Sequence, residues 1–195
     1  MCMSNGITGA PTLEQLEEEL RREQQKYNNS HLLRSSIFVL LVVIAAVVLI
    51  ILLALPILKI NGMSMSNTLF DGDIVIGMNS SKYQTGDVIA FNYNNNILVK
   101  RVIARAGDWI DIDEEGNVYV NERLLEEPYL SEKALGDCNI TLPYQIPDGK
   151  CFVMGDHRAT SIDSRNTSVG CISDERVVGK VVLRIWPLSR FGAVD

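Results

Sequence analysis

Twenty-two consecutive residues, Ile37 to Leu58, carry no charge. As a helix such a run is ~33 Å long, enough to cross the hydrocarbon core of a bilayer. A cleavable signal peptide has a shorter apolar region, a shorter lead and a small-residue exit site. Here 36 residues precede the run, and it closes on Leu55-Pro56-Ile57-Leu58-Lys59. The expectation is an uncleaved transmembrane anchor over 37–58. Arg21, Arg22, Lys26 and Arg34 lie before it, and Lys59 is the basic residue close behind. Positive charge favours the cytoplasmic side, so residues 1–36 form a cytoplasmic tail and 59–195 a domain outside the cell membrane.

In the tail, Met1 to Pro11 are small and turn-prone. Thr12 with Gln15 forms a capping-box pattern after Pro11. Leu13, Leu16, Leu20 and Tyr27 then recur at about heptad spacing among charged residues, which predicts a short surface helix over 12–27. Fewer than three heptads is weak support for a coiled coil.

The part after the anchor is long enough for one ordinary core. Its basic residues are scattered and the chain carries a net charge of -6, the opposite of a nucleic-acid footprint. His31 and His157 are far apart and the cysteines show no CxxC spacing, so neither a metal nor another cofactor is expected. Cys138, Cys151 and Cys171 cannot all pair with one another; a Cys138–Cys151 bridge and unpaired thiols both fit the spacing.

Strand signals dominate this part. Asp73–Gly77, Asp87–Phe91 and Ile97–Arg105 are β-branched or alternating runs bounded by turn residues. Trp109–Asp113 and Val118–Val120 alternate across a Glu-Glu-Gly-Asn turn and read as a hairpin. Lys150–Met154 and Val177–Trp186 are the last strong strands, 122–150 is irregular, and no convincing helix follows residue 60. The domain is predicted to be mostly β, a barrel or sandwich.

Three segments carry potential chemistry. Ser64 lies in Gly62-Met63-Ser64-Met65-Ser66-Asn67-Thr68-Leu69, six steps beyond Leu58. At ~3.6 Å per residue that is within roughly 20 Å of the membrane surface. Serine needs a base to become a nucleophile. Lys100 is the candidate: alternation along its strand puts it on a face with Leu98, Val102 and Ala104, while Arg101 points the other way. Burial on an apolar face lowers a lysine pKa and leaves the neutral amine a general base requires; a lysine snorkelling to water from an edge strand is the bland alternative. The third segment runs from Gly155-Asp156-His157-Arg158 through Ser161, Asp163, Ser164 and Arg165. So dense a set of charges is either a solvated turn or an ion-pair network pinning a site.

Together these segments resemble the bacterial type I signal peptidases, the membrane-anchored Ser/Lys proteases, over about residues 36–190. Ser64–Leu69 is similar to that family's S-M-x-P-T-L box. Lys100-Arg101-Val102-Ile103 with Ala106-Gly107-Asp108 is similar to its K-R-V box, and Gly155–Arg165 to its G-D-N-R-x-x-S-x-D-S-R box. Asn121, Glu127-Pro128-Tyr129 and Val178-Gly179-Lys180 also fit. The resemblance implies a β-rich catalytic domain of coiled antiparallel sheets, with Ser64 as nucleophile, Lys100 as general base and Ser161 orienting the lysine. It implies an oxyanion hole using the Ser64 N–H, Gly62 where some members carry a helping hydroxyl, and supporting ion pairs from Arg101, Asp156, Asp163 and Arg165. The implied partners are exported preproteins, cut after small residues in an A-x-A-like pattern, and the lipid bilayer, with the enzyme a monomer. The signal peptide is expected to add as an extended strand near Asp73–Met78.

Three positions depart from the pattern: Asn67 replaces proline, His157 replaces asparagine, and Cys171 stands where an aromatic is common. The rival readings are a non-catalytic or client-specific accessory for pilin or surface-protein assembly, a self-cleaving repressor-type protease, and a plain anchored binding module. Retention of both Ser64 and Lys100 argues against the first. The anchor, and the lack of any DNA-binding helix pair, argue against the second. The coincidence of three boxes argues against the last.

Overall fold

The computed structural model describes residues 13–79 and 82–194, leaving aside the side chains at 15, 24–33 and 51–54. Two compact units divide at Ile51/Leu52. The first is built on one helix, α1 (Leu13–Ala54), which is unbroken where a separate short helix over 12–27 was expected. Leu13, Leu16 and Leu20 are exposed along it, and the Thr12–Gln15 capping pair lies outside the described residues. Among the described residues no helix is long and apolar enough to cross a membrane. The expected anchor over 37–58 also overruns the helix. Leu55 precedes a proline, which disfavours helical backbone, and Pro56 has no N–H to continue the ladder. Ile57 and Leu58 therefore belong to a strand.

The second unit is mostly β. Its strands are β1 (Ile57–Lys59), β2 (Ile74–Met78), β3 (Val88–Tyr93), β4 (Asn96–Arg105), β5 (Trp109–Ile112), β6 (Val118–Val120), β7 (Arg123–Leu124), β8 (Tyr144–Gln145), β9 (Lys150–Met154), β10 (Ile172–Ser173), β11 (Val177–Trp186) and β12 (Gly192–Ala193). The main sheet runs β1-β2-β11-β3-β4-β9-β10 with β12 beside β11, and a smaller one runs β7-β6-β5-β8. Every pairing is antiparallel.

Three apolar clusters fill the unit. The first joins Met65 and Leu69 of the Ser64 loop to Val75, Val88, Ala90 and Val181. The second centres on Phe91, Val102 and Val153, the third on Ile103, Ala104, Ile110 and Phe152. A bulge between Val102 and Ala104 in the ladder with β9 puts Ala104 with Ile103. Simple alternation had placed it with Val102. Cys138, Cys151 and Cys171 are free thiols, so the spacing-compatible 138–151 bridge is not made.

The main sheet holds the Ser64 loop from below. Asp73 is fully buried, yet its carboxylate accepts from Arg190 at 2.8 Å and from the Phe70 N–H at 3.0 Å, with Arg184 at 3.5 Å. Arg184 also donates to the Thr68 carbonyl at 2.8 Å. The end of the chain thus clamps the loop that follows Ser64. Asp73→Ala would leave both guanidinium groups facing a vacated site, and is expected to cost about 3 kcal/mol, read as a lowered thermal midpoint; an unchanged midpoint would show that the clamp does not hold the loop.

Candidate active site

Lys100 and Ser64 line one cleft of about 190 Å³, with Lys59, Ile60, Asn61, Met65 and Asn96–Val99. The cleft exists because β4 is paired on one edge only over part of its length. β3 pairs with it from Asn96 to Arg101, but β9 joins the other edge only at Arg101. Among the described residues, Asn96–Lys100 have no strand on that side. The expected docking strand, Asp73–Met78, is closed by contrast: β1 and β11 occupy both edges of β2. An added strand has room along β4.

Lys100 is 3% exposed, and its Nζ donates to Ser161 Oγ at 3.0 Å. Burial is the main cause that pushes its pKa from 10.5 to about 8; Asp163 opposes, Arg165 adds to the fall, and Asp156 opposes. The two acids do not restore the ordinary value because each is committed to an arginine. Asp156 takes Arg101 through Nε at 3.0 Å and Nη2 at 2.8 Å. Asp163 takes Arg165 through Nε and Nη2, both at 2.9 Å. Burial alone would raise Asp163, but Arg165, the Gly155 N–H and the Ser161 hydroxyl outweigh it and hold the carboxyl below its ordinary value.

Gly155 is the junction. Its N–H donates to Asp163 at 2.9 Å and its carbonyl accepts from Arg158 Nε at 3.2 Å. A Cβ there would stand 2.2 Å from Ser161 Oγ and 2.4 Å from the Ser64 carbonyl. That carbonyl is itself held by the His157 N–H at 3.1 Å. The link to Ser64 runs through the backbone of residue 157, so histidine serves as well as asparagine; its ring turns to Thr160.

The structure thus brings Ser64, Lys100, Ser161, Arg101, Asp156, Asp163 and Arg165 together. Gly62 does not line the cleft: it sits at φ 90° and its N–H is engaged by Asp71 at 2.7 Å. Sequence reasoning missed a third buried pair, Arg158 with both oxygens of Glu127. It also missed Tyr129, whose hydroxyl donates to Glu127 and whose ring lies 3.9 Å from the Arg101 guanidinium carbon. Thr68, bonded to both Asp156 and Arg101, was another. Glu127-Pro128-Tyr129 matched the family pattern, but the irregular stretch around it offered no periodicity from which to assign a role.

With this geometry in view, the comparisons are unambiguous. The sequence pattern of the family described as signal peptidase, peptidase S26, matches residues 32–186. Signal peptidase IB of Staphylococcus aureus is 38% identical over 153 residues, 68% of this chain and 78% of its own length. Signal peptidase I of Bacillus licheniformis is 33% identical over 152 residues, 70% and 79% of the two chains. A signal peptidase I crystal structure from Enterococcus faecalis aligns with 28% identity and a TM-score of 0.42, covering 51% of this chain and 96% of that one. The chain belongs to the signal peptidase family, peptidase S26, and is a serine endopeptidase.

Two outcomes follow from the backbone. Gly155→Ala is expected to lower peptidase activity about 10²-fold by displacing Ser161 and the Ser64 carbonyl, measured as kcat on a cleavable preprotein; wild-type activity would mean the contact is slack. Asn67 sits at φ 89°, far from the −65° that proline imposes. Asn67→Pro should therefore cost about 1–3 kcal/mol in thermal unfolding, and an unchanged midpoint would show that the loop readily adopts the family's proline conformation.

Proposed function

We propose that Ser64 is the nucleophile and Lys100 its general base in removing N-terminal signal peptides from exported preproteins, cut after small residues at A-x-A-like sites. One observation carries this reading: a buried lysine with a lowered pKa, bonded to Ser161, lines the same cleft as a serine. The residue preceding the scissile bond lies along the unpaired edge of β4, where main-chain hydrogen bonds are open to an extended segment. Neutral Lys100 takes the Ser64 proton as Oγ bonds to the scissile carbonyl carbon. The oxyanion is met by the Ser64 N–H. The C–N bond breaks, Lys100 returns the proton to the leaving amine, and a water activated by Lys100 hydrolyses the ester. Ser161 orients the amine, while Arg101, Asp156, Asp163 and Arg165 hold the frame. Gly62 contributes its backbone turn.

The bilayer is the second proposed partner. The uncharged part of α1 from residue 37 to 54 anchors the chain, with the tail in the cytoplasm and the domain against the outer leaflet. The asymmetry of basic residues supports this orientation. The exposed apolar side chains of Ile57, Met78, Trp186, Leu188 and Phe191 suit contact with lipid. Nucleophile and base both come from one chain, so a monomer suffices.

The test uses the full chain in detergent micelles with a preprotein carrying an A-x-A site. Ser64→Ala and Lys100→Met are both expected to abolish cleavage. Because only the neutral amine is a base, kcat/KM should rise about tenfold per pH unit and level off above about 8. Full activity of Lys100→Met, or a flat profile, would sink the assignment; an inactive wild type on several such substrates would favour the assembly-accessory reading.

A further inference from the structure

The smaller sheet presents an aromatic-walled face that the peptidase chemistry does not use. A cavity of about 410 Å³ is lined there by Trp109, Ile110, Asp111, Tyr119, Glu122 and Pro143, none of which lines the Ser64–Lys100 cleft. Trp109 and Asp111 alternate along β5, and Asp111 pairs with Tyr119 of β6, so these side chains share one face. Trp109 is 47% exposed. Exposed tryptophan beside tyrosine and carboxylates is a surface that attracts cations, through the ring faces and through charge.

Glu122 adds an independent observation. Val120 pairs with Arg123, and the two residues between them, Asn121 and Glu122, have φ of 50° and 65°. This is a type I′ turn, whose second position favours glycine. Glutamate there costs about 1 kcal/mol of backbone strain, and the cost leaves a carboxylate in the wall of the cavity.

Charge selects the occupant. Residues 108–126 hold seven carboxylates (Asp108, Asp111, Asp113, Glu114, Glu115, Glu122, Glu126) against one arginine, Arg123; the next, Glu127, is buried against Arg158 and adds nothing to the field. Such a field draws a segment with several positive charges and repels an anionic membrane surface. We propose that this face docks a cationic peptide segment of another protein, an arginine or lysine with apolar neighbours entering between Trp109, Tyr119, Asp111 and Glu122.

The probe is acetyl-Gly-Leu-Arg-Leu-Arg-Gly-amide, titrated into the full chain in detergent micelles while Trp109 fluorescence is read in a Trp186→Phe background. The expected result is a saturable change that weakens at least tenfold in Asp111→Asn and in Glu122→Gly, and is absent with glutamate in place of arginine in the peptide. Glu122→Gly should also raise the thermal midpoint by about 2–4 °C by relieving the turn, and preprotein cleavage should stay within twofold in both variants. Equal binding by Glu122→Gly, a lowered midpoint in that variant, or no saturable change would overturn the proposal. Saturation by tetramethylammonium chloride at the peptide's concentration would also overturn it, in favour of a lipid headgroup.

Discussion

The site depends on one constraint: Lys100 must be stripped of water without being given a carboxylate of its own. Asp156 and Asp163 both act on it, and either could restore its charge by a direct ion pair. Arg101 and Arg165 occupy those carboxylates bidentately, so the amine donates instead to a hydroxyl, Ser161 Oγ. Lowering the pKa from 10.5 to about 8 corresponds to about 3 kcal/mol. At pH 7 it raises the neutral fraction about 300-fold.

That arrangement explains why so many large charged side chains lie in a domain of this size. Arg101, Arg158 and Arg165 are among its largest fully buried side chains. Buried ion pairs contribute little net stability, because desolvation offsets their attraction, but breaking one is costly. Their value here is geometric. Arg158 fixes the Gly155 carbonyl, Asp163 fixes its N–H, and the glycine leaves room for Ser161 and the Ser64 carbonyl. Tyr129 links the Arg101 and Arg158 pairs into one network through its ring and its hydroxyl.

The main sheet supplies the cleft by ending a ladder early. β9 meets β4 at Arg101, one residue beyond Lys100, so the same strand is paired on both edges from its arginine onward and open along one edge up to its lysine. The Ser64 loop reaches that open edge because Met65 and Leu69 sink into the first apolar cluster and because Arg184 and Arg190 clamp Asp73 and Thr68 behind it.

Local pattern alone carried much of this. Strand alternation and turn residues marked β6, β9 and β11 at their observed limits, since these signals depend on neighbours in the chain. Ser64, Lys100 and the Gly155–Arg165 stretch could be singled out because each box is contiguous and its residue types are costly to keep without purpose. What only the tertiary structure decided involves partners distant in sequence. Glu127 and Arg158 are 31 residues apart, and no local period reports such a pair. The open edge lies on β4 and not on β2 because edge exposure depends on which strands pair, which composition does not encode. The φ of 89° at Asn67 and the bulge at Ala104 likewise follow from how the sheet closes on its loops. Residue type sets what chemistry is available; packing sets which carboxylates are occupied, and therefore which amine gives up its proton most readily.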